Sequence, residues 1–266
     1  MAKISRILLI LSMVVGLLWS SNLVYAHGEQ AVTTFFTLIG GDGDAVSHNN
    51  NLFKQKSNGE KLGDFCTLKF VYSVSGDYTN ETAKNRADVA KKAISENLGL
   101  YDKYAIAAFS HGGQSLFFMT DTPCTEIFLL EATTRIPGIC NDPESIGENW
   151  SKKIVEFASQ GRNVHIYASG DNENISKGSR RTIEYIESYA QSGSVIDGFF
   201  VQKVCEGEYV VCDSTYGEIC GNIFTQVVGG RHGNTCIAAA PDIIATIKRW
   251  PREKPKTLPT GGVLFF

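Results

Sequence analysis

The chain has 266 residues, 43% of them hydrophobic, with a formal net charge of −3. That length and apolar content suffice for a sizeable buried core, and the dispersed Lys and Arg form no basic stripe able to track a phosphate backbone. Nucleic acid is therefore not an expected partner.

In chain order, Lys3 and Arg6 precede an apolar stretch that runs from Ile7 to Leu11, resumes from Met13 to Trp19 and closes on Val24-Tyr25-Ala26. This pattern is that of a secretory signal peptide, 1–26, with cleavage after Ala26. Ser20, Ser21 and Asn22 interrupt it, so it falls short of the roughly 20 apolar residues a retained span needs. The expectation is a secreted or periplasmic protein with no stable membrane span after cleavage and one domain over 27–266.

Short β-rich runs follow at Thr33–Ile39, Thr67–Val74, Tyr104–Phe109, Glu126–Ala132, Asn163–Ala168 and Asp197–Val204. Helical spacing separates them at Asn80–Leu98, Ser151–Ala158 and Lys177–Ala190, and Ala239–Trp250 ends at Pro251. Strands alternating with amphipathic helices predict an α/β fold: a three-layer α/β/α sandwich on a mostly parallel, doubly wound sheet of about six strands. Two stretches break the rhythm. Cys205–Gly230 reads as a cysteine-rich excursion, and 251–266 as a C-terminal tail.

The seven cysteines of an exported chain suggest disulfides, and Cys205, Cys212, Cys220 and Cys236 are close enough in sequence for two local bridges. They contain no C-x-x-C pair, so a metal site on these thiols is not expected.

The chemistry concentrates at the end of the third strand. Tyr104–Phe109 runs directly into Ser110-His111-Gly112-Gly113 and then into the helix-compatible Gln114–Met119. A sharp strand–turn–helix lifts the serine hydroxyl above the sheet and needs small residues on either side, which Ala108 and Gly112 provide. The segment resembles the nucleophile elbow of the α/β-hydrolase family in a compact, lidless, esterase- or lipase-like version. Its first glycine is replaced by Ala108.

The resemblance implies a Ser-His-acid triad, because a serine hydroxyl needs a base to take its proton and a carboxylate to orient that base. Five histidines are available. His27 abuts the cleavage site, His48 lies early in a polar segment, His111 follows the serine directly, and His165 lies within a strand as a structural residue. His232, in Gly229-Gly230-Arg231-His232-Gly233, follows the last strand and precedes the final helix, where this family places its base. Asp171 follows the fifth strand at the carboxyl edge of the sheet and is the expected acid, with Glu173 as a weaker alternative. Ser110, Asp171 and His232 then stand in the family's chain order.

An oxyanion hole would take one backbone N–H from His111 and another from the glycine-rich loop after the first strand, where Gly41 and Asp42 remain alternatives. The resemblance implies no cofactor and no metal. Its substrate would be a small-molecule or lipid acyl ester, with thioester and amide left open. The alternative is a non-catalytic exported binding protein on the same scaffold, favoured by the altered elbow and by the lack of a histidine before the oxyanion loop.

Overall fold

The computed structural model describes residues 34–41, 59–72, 78–171 and 173–249, all within one compact unit, Thr33–Phe266. The expected signal peptide, His27, Asp42, His48 and the tail 251–266 lie outside the described residues. Among the described residues no helix is long and apolar enough to cross a membrane.

The described residues form a mixed α/β structure built on one nine-stranded sheet. Its strands are β1 (Thr34–Ile39), β2 (Cys66–Val71), β3 (Lys103–Phe109), β4 (Glu126–Leu130), β5 (Asn163–Ser169), β6 (Val195–Ile196), β7 (Phe199–Cys205), β8 (Glu208–Asp213) and β9 (Ile219–Val228). The helices are α1 (Asn80–Ser95), α2 (Gly112–Phe117), α3 (Pro143–Ser159), α4 (Asn174–Ser192) and α5 (Thr235–Lys248). The spatial order is β2-β1-β3-β4-β5-β9-β8-β7-β6. Every pairing from β2 through β9 in that order is parallel, and the remaining three are antiparallel.

The expected count of about six strands is corrected to nine. Five of the six expected runs lie in β1 to β5, and the sixth, Asp197–Val204, is an antiparallel strand near the far edge. The next parallel strand after β5 is β9, from within the stretch read as an irregular excursion. Its strand character is masked in sequence by Cys220 and Gly221, whose backbone lies against the end of α3. A Cβ on Gly221 would sit 2.4 Å from the Ala158 carbonyl oxygen and 2.3 Å from that of Arg162.

The expected cysteine bridges are also absent. The described residues include all seven cysteines and contain no disulfide. Cys236, in the first turn of α5, is sealed in the core, whereas Cys205 is exposed at the end of β7. Burial pushes the thiols of Cys66 and Cys124 up to about 12, so these side chains act as small apolar groups.

The two faces of the sheet carry separate apolar cores, because successive strand residues point to opposite sides. Ile106, Ala108, Ile127, Leu129, Val164 and Ile166 pack with α1, α3 and α4 on one face. Ala105, Ala107, Phe109, Phe128, Leu130 and Tyr167 pack with α5 on the other. β1 and β4 are buried along their whole length, as expected of central parallel strands covered on both faces. The helices are set by local signals. Thr79 and Asp142 cap α1 and α3 by accepting from Thr82 N and Ser145 N, and Gly193 in the left-handed region ends α4.

Candidate active site

The turn after β3 has the backbone that a presented serine requires. Ser110 has φ 52°, a left-handed conformation that costs a non-glycine residue about 1 kcal/mol or more. The surroundings hold it there. Ser110 N donates to Leu130 O at 3.2 Å, and Gly113 N donates to Ser110 O at 3.0 Å. The two glycines after His111 are required by close approach: a Cβ on Gly112 would lie 2.1 Å from Ile39 O, and one on Gly113 1.6 Å from Ala132 O. Helix α2 is thus wedged between the ends of β1 and β4.

His232 sits in a single 3-10 turn, His232–Asn234, between β9 and α5. Its ring stacks on Phe109 with centroids 4.9 Å apart and 18° between planes, so the imidazole lies over the residue that precedes Ser110. Its side chain is 16% exposed. Among the described residues, Ser110 Oγ makes no hydrogen bond to this ring.

The carboxylate on the imidazole is Glu131. Its Oε2 meets His232 Nδ1 in a short hydrogen bond, and its Oε1 accepts from Ser169 N at 2.5 Å. The side chain is fully buried, at 0% exposure. Glu131 follows β4 directly and has φ 46°, while its own N–H donates to Tyr167 O at 2.8 Å. Burial pushes the pKa of this carboxyl up, but hydrogen bonds from His232, Ser169 and Ser176 outweigh it and hold the group below its ordinary range. An ionised carboxylate has no proton to donate, so the proton of the His232–Glu131 bond belongs to Nδ1. In a neutral imidazole the lone pair is then on Nε2.

Asp171, expected behind the imidazole, is placed differently. Its Oδ2 accepts the backbone N–H of His232 at 2.6 Å, and its Oδ1 accepts Glu173 N at 3.0 Å. It therefore anchors the main chain of the histidine turn, while the ring is oriented by Glu131. Glu173 serves as the N-cap residue of α4. The hydroxyls of Ser169 and Ser176 hydrogen-bond to each other at 3.0 Å, and both side chains help to lower the pKa of Glu131 and of Asp171. Asp171 is also held below the ordinary carboxylate range: burial raises its pKa, but Ser176 and the N–H groups of Glu173 and His232 lower it by more.

Glu131 was hidden in the sequence because it reads as part of the buried run Glu126–Ala132. The available signal was position, a carboxylate at the carboxyl end of a strand next to the serine's strand.

The other expectations are placed as follows. Gly41, two residues after β1, packs against the serine turn, where its Cβ would come within 2.8 Å of the His111 Cβ. The His111 ring stacks on that of Tyr78, with centroids 3.9 Å apart. His165 is structural: its ring lies between Phe128 and Phe224, and Nε2 pairs with buried Glu126 at 2.7 Å.

No family model matches this sequence, and no curated protein matches it. Among solved structures, the chain is similar to the lin2722 gene product of Listeria innocua, with 13% identity over 85% of this chain and 96% of that one, at a TM-score of 0.43.

Proposed function

We propose that this protein is an exported serine hydrolase of the α/β-hydrolase type, acting on a small-molecule or lipid acyl ester. The observation that carries the reading is the left-handed Ser110 directly after Phe109, on whose ring stacks an imidazole whose Nδ1 is held by a buried carboxylate. Ser110 is the nucleophile, His232 the general base, and Glu131 the acid that fixes the tautomer and balances the imidazolium charge.

In the first half-reaction Ser110 Oγ attacks the ester carbonyl carbon while its proton passes to His232 Nε2. The carbonyl oxygen becomes an oxyanion that the His111 N–H and an N–H of the Gly41–Asp42 loop would receive, each donor worth about 3 kcal/mol. Collapse expels the alcohol, which takes the proton from His232 and leaves an acyl-Ser110. Water then attacks that acyl carbon, gives one proton to His232 and releases the carboxylic acid, and the proton returns to Ser110. The scheme calls on no metal or cofactor. Export rests on the signal-like segment 1–26.

Labelling with a fluorophosphonate tests the reading. The purified protein is expected to label on Ser110 and to hydrolyse a p-nitrophenyl ester, with both signals lost in Ser110→Ala. A folded wild type that neither labels nor hydrolyses would leave the binding-protein alternative in its place.

A further inference from the structure

Arg86, on α1, is 3% exposed, which is rare for a guanidinium and means that its polar contacts decide where it sits. Its Nε donates to Ser115 Oγ at 2.9 Å, and its Nη1 donates to Gly41 O at 3.1 Å. These acceptors belong to different parts of the site. Ser115 lies on α2, which continues the turn bearing Ser110 and His111, and Gly41 lies on the loop after β1. The guanidinium is planar and its donors diverge at fixed angles, so holding both acceptors fixes the spacing of the two segments more tightly than a single flexible ammonium could.

We propose that Arg86 is the positioning residue of the oxyanion hole, clamping the β1 loop against the serine turn so that N–H donors from both segments converge. This rests on the hydrolase reading above. The clamp acts on orientation as well as distance. Fixing the Gly41 carbonyl toward Arg86 restrains the backbone angles of Gly41, and with them the direction of its own N–H. The contact between Gly41 and the His111 Cβ removes slack from the other side, since any larger residue would displace the loop. A preorganised donor stabilises an oxyanion because it needs no reorganisation when the charge appears. Arg86 itself need not touch substrate.

The test compares the wild type with Arg86→Gln, Arg86→Lys and Ser115→Ala on a p-nitrophenyl ester, and measures inhibition by an aryl trifluoromethyl ketone that forms a tetrahedral adduct. Arg86→Gln is expected to lower kcat by about 10- to 100-fold with KM little changed, and to weaken the ketone by a similar factor, because only charge-developed states use the hole. Arg86→Lys is expected to recover part of both losses, and Ser115→Ala to show a smaller version of them. A folded Arg86→Gln protein with unchanged kcat and ketone affinity, or one changed in KM alone, would overturn the proposal. If Arg86→Gln does not fold, the lysine and Ser115→Ala variants decide by the same two readings. Fluorophosphonate labelling of the wild type separates the failures: an inert wild type overturns both the hydrolase reading and the clamp, whereas a reactive wild type with indifferent variants overturns the clamp alone.

Discussion

At the scale of single residues, Glu131 and Asp171 divide two tasks that one carboxylate would ordinarily be expected to perform. Glu131 orients the imidazole through Nδ1, and Asp171 holds the main-chain N–H of the same histidine. Both groups are held below the ordinary range by the hydrogen bonds they accept. A carboxyl whose folded pKa is depressed contributes stability that is fully present above its unfolded value and is lost as pH falls through the lower folded value. For Glu131 the unfolded value is about 4.5. Glu131→Gln is therefore expected to lower the urea midpoint at neutral pH by the equivalent of about 1–3 kcal/mol, with the gap to wild type narrowing as pH drops below that value. A gap that widened toward acid pH would mean that the native carboxyl is not the depressed one. The positions of Ser110 and His232 at strand ends were legible in the sequence because each stands at a punctuated place: Ser110 two residues before a glycine pair, and His232 between a strand end and a helix start. Glu131 was not, because backbone strain at a single position leaves no mark on periodicity.

At the scale of elements, the β3–α2 turn depends on three backbones crossing at van der Waals distance. Gly113 is the tightest of these contacts, with Ala132 O where a methyl group would have to sit. Gly113→Ala is expected to destabilise the protein by about 3 kcal/mol or more, seen as a lower thermal midpoint or as loss of soluble protein. A variant as stable as the wild type would mean that α2 does not pack against the end of β4 as described. The elbow was readable because its demands fall on consecutive residues. β8 and β9 were less so. Tyr209 and Val211 alternate toward the larger core, but cysteines, Gly221 and a register shift between Val211 and Cys212 break the alternation that marks a half-buried strand.

At the scale of the whole molecule, the parallel half of the sheet gathers the candidate site at its carboxyl edge. Ser110 follows β3, Glu131 follows β4, Asp171 follows β5 and His232 follows β9. These four strands are consecutive neighbours in space although β9 is distant in sequence, which is how residues separated by more than a hundred positions come to share a hydrogen bond. Chain order carried the argument from sequence well for the ends of strands, but it could not reveal which neighbouring strand's carboxylate reaches the imidazole. That choice is made by side-chain length and by the turn at Glu131. The most direct test is kcat for p-nitrophenyl ester hydrolysis in Glu131→Gln and Asp171→Asn, with folding checked by circular dichroism. Loss of the ring-orienting carboxylate should lower kcat by about a thousandfold or more, while loss of the main-chain anchor should lower it by no more than about a hundredfold. An Asp171→Asn enzyme more impaired than Glu131→Gln would contradict the assignment of Glu131 as the acid.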